Sequence, residues 1–193
     1  MNILAIAGSP RLNGNSTSLL KLALNAAREQ GHLVELMHAV QMSVRPCMAC
    51  DACKRGDSCV VHDGMMEVYA ALDAADALVI ATPIHSYTMS GWIKPVVDRC
   101  YALFDARGRS RLHKGKKLFV ITAQGDKEPD DGHATVNNLA RAYAYCGFVL
   151  AGSLVASDIM DVHDWSDRPD LQEAARHLLT DVVGTAAAEG DGA

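Results

Sequence analysis

Short apolar blocks alternate along the chain with stretches in which apolar positions recur every three or four residues. Asn2–Ala7 (NILAIA) is nearly all apolar and predicts a strand buried on both faces, and the polar Gly8–Asn15 that follows predicts a turn. Over Ser16–Gly31, Leu19, Leu20, Ala23, Leu24 and Ala27 repeat at the spacing of one helix face. His32–Met37 alternates instead, with Val34 and Leu36 on one side and Leu33 and Glu35 on the other, the period of a strand. Further strands are predicted at Ala77–Thr82, Lys117–Thr122 and Phe148–Ala156, and helices at Gly64–Ala75, Ser90–Ala106, His133–Cys146 and Asp167–Ala188. An acidic, histidine-bearing surface loop at Ser157–Ser166 precedes the last helix, and Glu189–Ala193 reads as a frayed tail. Between the second strand and the next helix, Ala39–Asp63 follows neither period. Connections that long in a compact domain tend to carry function.

Five strands alternating with helices, most of them apolar on both faces, predict an α/β fold: a parallel sheet covered on both sides. No repeat or boundary divides the chain, so residues 1–188 are expected to form a single domain with a Cys-rich insertion at 39–63. Ligands of open parallel sheets bind beyond the carboxyl ends of the strands. There the pattern places Gly8–Asn15, Pro83–Ser90 and Ala123–Gly132.

Composition narrows the partners. Lys and Arg number 18 against 23 Asp and Glu, a net charge of −5, which gives no basic face for nucleic acid or an anionic membrane. No run of 18 apolar residues occurs, and the first residues lack the basic start of a signal peptide, so a soluble cytoplasmic protein is expected.

The loop Gly8-Ser9-Pro10-Arg11-Leu12-Asn13-Gly14-Asn15-Ser16-Thr17-Ser18 joins the first strand to the first helix. Amides at a helix start, with the positive end of the helix dipole, make an anion site, and the hydroxyls here add donors. The loop is neither a Walker sequence nor a dinucleotide fingerprint. Gly8 and Gly14 are separated by five residues, Asn15 stands where the Walker lysine belongs, and G-x-G-x-x-G is absent. What remains suits a terminal monophosphate, or else an ordinary turn in which Ser16 caps the helix.

Two motifs carry a resemblance. The loop Gly8-Ser9-Pro10-Arg11 with Gly14-Asn15-Ser16, and the run Pro83-Ile84-His85-Ser86-Tyr87-Thr88-Met89-Ser90-Gly91-Trp92-Ile93-Lys94 followed by Asp98-Arg99, resemble the NAD(P)H-dependent FMN reductase family. The resemblance implies a flavodoxin-like three-layer sandwich whose five-stranded parallel sheet has the order 2-1-3-4-5. It implies that Ser9, Arg11, Asn15, Ser16 and Thr17 hold the FMN phosphate, and that Pro83, Ile84, His85 and Ser86 lie along the flavin ring. Thr122 and Gly125 stand in the place of a third flavin loop. His85 occupies the position where relatives carry an aromatic residue, with Tyr87 two residues on.

The insertion holds Cys47, Cys50, Cys53 and Cys59, spaced C-x2-C-x2-C-x5-C. Zinc sites usually pair two distant C-x2-C units, whereas three cysteines three apart wrap one loop around a compact object, as in ferredoxins. A [4Fe–4S] cluster is therefore expected, with dithiol pairs, zinc or idle thiols as the other readings. Cys100 and Cys146 lie on apolar helix patterns and are expected in the core. The knot also resembles the iron–sulfur flavoprotein branch of the same family, in which four such cysteines ligate one cluster.

Together these features imply a redox flavoprotein that passes electrons between NAD(P)H or a ferredoxin-type donor and a small-molecule or protein acceptor. No strictly catalytic side chain is implied. The alternatives are an NAD(P)H-dependent FMN or quinone reductase without a cluster, and a non-enzymatic electron carrier or redox sensor. Family resemblance further implies a homodimer or homotetramer.

Overall fold

A parallel sheet forms the centre of the computed structural model, which describes residues 1–56 and 58–180. Its strands are β1 (Asn2–Ala7), β2 (Leu33–His38), β3 (Ala77–His85), β5 (Lys116–Ala123) and β6 (Phe148–Ala156). They run in the order β2-β1-β3-β5-β6, and β4 (Thr88–Met89) adds a short antiparallel hairpin arm to β3. This is the flavodoxin-like arrangement, with β4 as a sixth strand beyond the five predicted.

Alternation along the strands fixes the two faces. Leu4, Ile6, Leu78, Ile80, Leu118 and Val120 share one buried cluster. On that side lie α3 (Met65–Ala74), α4 (Lys94–Arg99) and α5 (Asp130–Tyr145), which contribute Met65, Val96 and Leu139. Ile3, Ala5, Val79, Phe119 and Ile121 share the other cluster with α1 (Asn15–Glu29) and α6 (Pro169–His177). The predicted face of α1, Leu19, Leu20, Ala23, Leu24 and Ala27, is wholly buried. Each buried leucine there contributes about 1.5–3 kcal/mol. Cys100 and Cys146 lie in the first cluster, as expected.

The structure departs from the predicted pattern in three places. β3 continues three residues beyond Thr82 and turns into β4 through Ser86 and Tyr87, both left-handed (φ 50° and 69°). This is the two-residue hairpin geometry that normally selects Asn-Gly. The helix predicted over Ser90–Ala106 is reduced to α4, opened by Pro95 in its first turn, followed by a tight 3-10 turn at Cys100–Leu103. Proline fits there because the first turn needs no N–H of its own. The helix predicted from Asp167 to Ala188 is α6, followed by a turn to Thr180. Its expected remainder and the expected frayed tail at 189–193 lie outside the described residues. Among the described residues, no helix is long and apolar enough to cross a membrane.

Candidate functional site

At the carboxyl end of the sheet, the order reverses between β1 and β3, and the loops diverge around a cavity of about 310 Å³. That is the size of a small-molecule pocket, at the place where open α/β sheets bind ligands. Ser9, Arg11, Asn15 and Ser16 line it from the first loop, Pro83, Ile84 and His85 from the second, and Gly125 from the third.

The first loop is held in place from below. Gly8 donates its N–H to Ala81 of β3 at 2.7 Å, and the Ser90 hydroxyl donates to the Gly8 carbonyl. A side chain on Gly8 would put its Cβ 2.9 Å from that of Ile93, so only glycine admits this close approach. Ser9 is buried, and its hydroxyl oxygen accepts the Arg11 N–H at 3.1 Å. The N-cap of α1 is Gly14, with no side-chain cap hydrogen bond. Ser16 therefore does not cap the helix, and lines the cavity instead.

Several expected residues face elsewhere. The Thr17 hydroxyl is buried and donates to the Arg11 carbonyl, 3.4 Å away, which braces the loop from inside. Ser86 is exposed at the hairpin turn. Thr122 is buried on β5, and its Oγ1 has no protein partner. Asn15 reaches across the cavity floor, its amide Nδ2 donating to the carbonyls of Asp161 (2.7 Å) and Ile159 (3.4 Å). Its Oδ1 is left buried and unpartnered, so any anion there must meet the backbone N–H groups rather than this side chain.

Pro10, Gly14, Ala123 and Gln124, within the expected loops, also line the cavity, and so do Ile159 and Met160, which pattern reading did not single out. Gln124 is buried and pins its own loop, with Oε1 accepting the Gly132 N–H at 2.8 Å and Nε2 donating to the Glu128 carbonyl. Ile159 and Met160 come from the loop after β6, an apolar pair set between Asp158 and Asp161.

The cysteines form a second locus. Beyond β2 the chain makes a short 3-10 turn (Ala39–Gln41), a long irregular stretch and one helical turn, α2 (Ala52–Arg55), before α3. Cys47 and Cys50 are exposed, Cys59 is half-buried and Cys53 is buried, and all four are free thiols. All four line one small cavity together with Val61, Arg99 and Tyr101. Among the described residues no three His, Cys, Asp or Glu side chains converge to metal-holding distance. The donor set is thus that of a four-thiolate site, gathered around one hollow but spread apart within it. Ala49 and Asp51, between the cysteines, adopt left-handed backbone conformations (φ 51° and 54°) that only a constrained loop maintains.

The neck of this loop is tightly tied. Arg111 donates to the carbonyls of Cys53 and Gly56, each at 2.9 Å. Lys54 donates to those of Tyr101 (2.6 Å) and Phe104 (2.8 Å) and lies 3.7 Å from the Tyr101 ring centre. At the base, Asp63 pairs with the buried Arg99 at 2.9 Å. Burial alone raises the Asp63 carboxyl, but the hydrogen bonds from Arg99 and from the Arg45 and Met65 amides outweigh it, and its pKa is lowered below the ordinary value.

A parallel sheet with this strand order and a cavity at its reversal point defines a flavodoxin-like protein. The family model for NADPH-dependent FMN reductase matches residues 1–160, and the chain belongs to that family of oxidoreductases. It is 35% identical over 103 residues to an iron–sulfur flavoprotein of Methanosarcina thermophila, covering 53% of this chain and 54% of that one. An iron–sulfur flavoprotein of Methanocaldococcus jannaschii is 32% identical over 128 residues, covering 66% and 63%. The matches thus span roughly half to two-thirds of these relatives' own lengths. Among solved structures, an FMN-dependent NADH-azoreductase of Bacillus anthracis in complex with FMN shares the fold at a TM-score of 0.65 and 17% identity, covering 92% of this chain and 99% of that one.

Proposed function

We propose that the chain is an FMN-containing electron-transfer protein whose cysteine loop holds one [4Fe–4S] cluster. The observation that carries this reading is that all four cysteines line one cavity, which α4 joins to the foot of the first loop. Ile93, immediately before the helix, packs beside Gly8 of the flavin loop, and Arg99, at its end, lines the cysteine cavity. Six residues of helical rise put Ile93 and Arg99 about 9 Å apart along the axis.

In this reading the FMN phosphate meets the uncapped N–H groups of α1, with Ser9, Ser16 and Arg11. Pro83, Ile84 and His85 from the second loop, with Gln124, Gly125 and Met160, would hold the ring. When bound, FMN supplies exchange between two-electron and one-electron carriers. The protein's own part is to hold the phosphate, orient the ring and exclude water. NAD(P)H or a ferredoxin-type carrier is the donor proposed, and the acceptor a small molecule or protein. Tyr87, 79% exposed, and Trp92, 44% exposed, stand next to the flavin loops. They support cover by a neighbouring subunit in a homodimer or homotetramer.

Arg11→Ala is expected to weaken FMN binding about tenfold to a hundredfold, the worth of one hydrogen bond to a charged group. Riboflavin, which has no phosphate, should bind both proteins equally. Fluorescence titration with the two ligands checks this, and an equal loss for both would remove Arg11 from the phosphate site. Cys50→Ser is expected to abolish the iron content of anaerobically purified protein while FMN content stays within a fifth of wild type, measured by metal analysis and flavin release. A single absorption spectrum before and after dithionite tests the whole reading: flavin bands on a broad brown shoulder, all bleaching together, are expected. Flavin bands alone would favour the second reading, an FMN reductase without a cluster, which the spread of the thiols supports.

A further inference from the structure

At the base of the cysteine loop, four hydrogen bonds come from one side chain. Arg99 is 2% exposed. Its Nη1 donates to Asp63 Oδ2 at 2.9 Å and to the Arg45 carbonyl at 3.1 Å. Its Nη2 donates to the Val61 carbonyl at 2.9 Å and to Asp63 Oδ1 at 3.3 Å. Arg45 lies two residues before Cys47 and Val61 two residues after Cys59, so one guanidinium grips both stems of the loop. The Tyr69 hydroxyl, donating to the Arg99 carbonyl at 2.8 Å, fixes the arginine's own backbone.

A guanidinium has five N–H donors, four on the Nη atoms and one on Nε. The Nη atoms here meet four acceptors. Nε is buried and has no partner among the described residues. Burying an N–H without an acceptor costs about 1–3 kcal/mol, and more for a charged group. Arg99 lines the same cavity as the four thiols, so the missing acceptor has an evident source: a thiolate or a cluster sulfur.

We propose that Arg99 is a positioning residue of the four-cysteine site, fixing both stems of the loop through its Nη atoms and supplying the Nε–H and a buried positive charge to sulfur in the cavity. The inference rests on the reading that the cysteines hold a metal centre. A hydrogen bond and a cation at sulfur favour the more negative, reduced state, and such contacts are among the means by which proteins set cluster potentials.

Arg99→Lys keeps a positive charge opposite Asp63 but has no Nε–H in that place. Arg99→Met combined with Asp63→Leu replaces the whole ion pair by apolar side chains, a change that buried pairs often tolerate. FMN uptake and thermal melting report whether each variant folds. The readouts are iron and sulfide content after anaerobic reconstitution, Co(II)–thiolate absorption of the metal-free protein, and the midpoint potential followed by electron paramagnetic resonance. Both variants are expected to bind FMN like wild type. Arg99→Lys should shift the oxidised-to-reduced ratio of the cluster about tenfold toward oxidised at a fixed applied potential, equivalent to 59 mV for a one-electron couple. The double variant should show the same shift with less iron bound.

A purely structural arginine predicts lower iron content with an unchanged potential, and wild-type potentials in both variants overturn the proposal while leaving the metal reading intact. Wild-type protein that takes up neither iron nor cobalt at the cysteines overturns the metal reading itself, and this proposal with it.

Discussion

Gly64→Ala is expected to lower the melting temperature by about 6–12 °C. A Cβ built on Gly64 would lie 2.0 Å from the Met42 carbonyl oxygen and 2.8 Å from its carbon. The backbone at Gly64 is ordinary right-handed helical (φ −56°, ψ −12°), so alanine carries no conformational penalty there and the cost is wholly steric. The obstacle is main chain and is itself held, because the Met42 side chain packs against the core. Overpacking of this kind costs about 1–3 kcal/mol, and a backbone obstacle puts it near 3. For a chain of this length each kcal/mol moves the midpoint by about 2–4 °C. Met42 precedes the cysteine loop and Gly64 follows it, so the methyl group pries its two stems apart and iron content should fall as well. Gly91→Ala is the control, since nothing lies within 4 Å of a Cβ there. Circular dichroism melts of the two variants decide the matter; equal melting temperatures would show that the stems separate freely.

Asp63→Ala should destabilise the protein by about 3–5 kcal/mol at neutral pH, because it leaves the guanidinium of Arg99 buried without its counter-charge. The loss has a definite pH dependence. The folded carboxyl titrates below its ordinary value, the hydrogen bonds from Arg99 and two amides overcoming the opposing effect of burial. Its contribution is therefore fully present above the unfolded carboxylate pKa, about 3.9, and disappears as pH falls through the lowered folded value. The gap in stability between wild type and Asp63→Ala is expected to be constant from pH 7 to about pH 5 and to narrow below about pH 4. Urea denaturation across that range measures it. A gap that persists undiminished in acid would mean that Asp63 acts through packing alone.

Much of this architecture was legible in the chain because the strands are apolar runs and the central ones, β1, β3 and β5, are buried on both faces. β1 and β6 have the bounds that their apolar runs predict, and the amphipathic face of α1 is the one packed in the core. Local pattern failed where a turn lacks its usual residues or a distant contact decides the conformation. Ser86 and Tyr87 lack the Asn-Gly signature of a two-residue hairpin, yet Ile84 pairs with Met89 across them. Asn15 belongs to the expected loop, but its amide is claimed by carbonyls at 159 and 161, more than 140 residues along. Arg99 was visible as part of a motif, but its pairing with Asp63 joins positions 36 residues apart and leaves no periodic trace. The apolar pair Ile159 and Met160, flanked by acids, was the one available signal for the far wall of the cavity.

A loop gripped at both ends by a single side chain has a fixed opening. Because Arg45 and Val61 are held by the same guanidinium, the distance between the stems does not depend on what lies between them. Lengthening a closed loop is cheap, about 0.6 kcal/mol for each doubling. The segment can therefore change length between the stems without disturbing the sheet, except at residues 53–56, which Lys54 and Arg111 tie to the body. In evolutionary terms it behaves as a cassette, and relatives of this chain should vary most in loop length between the clamp points and least at the clamp itself.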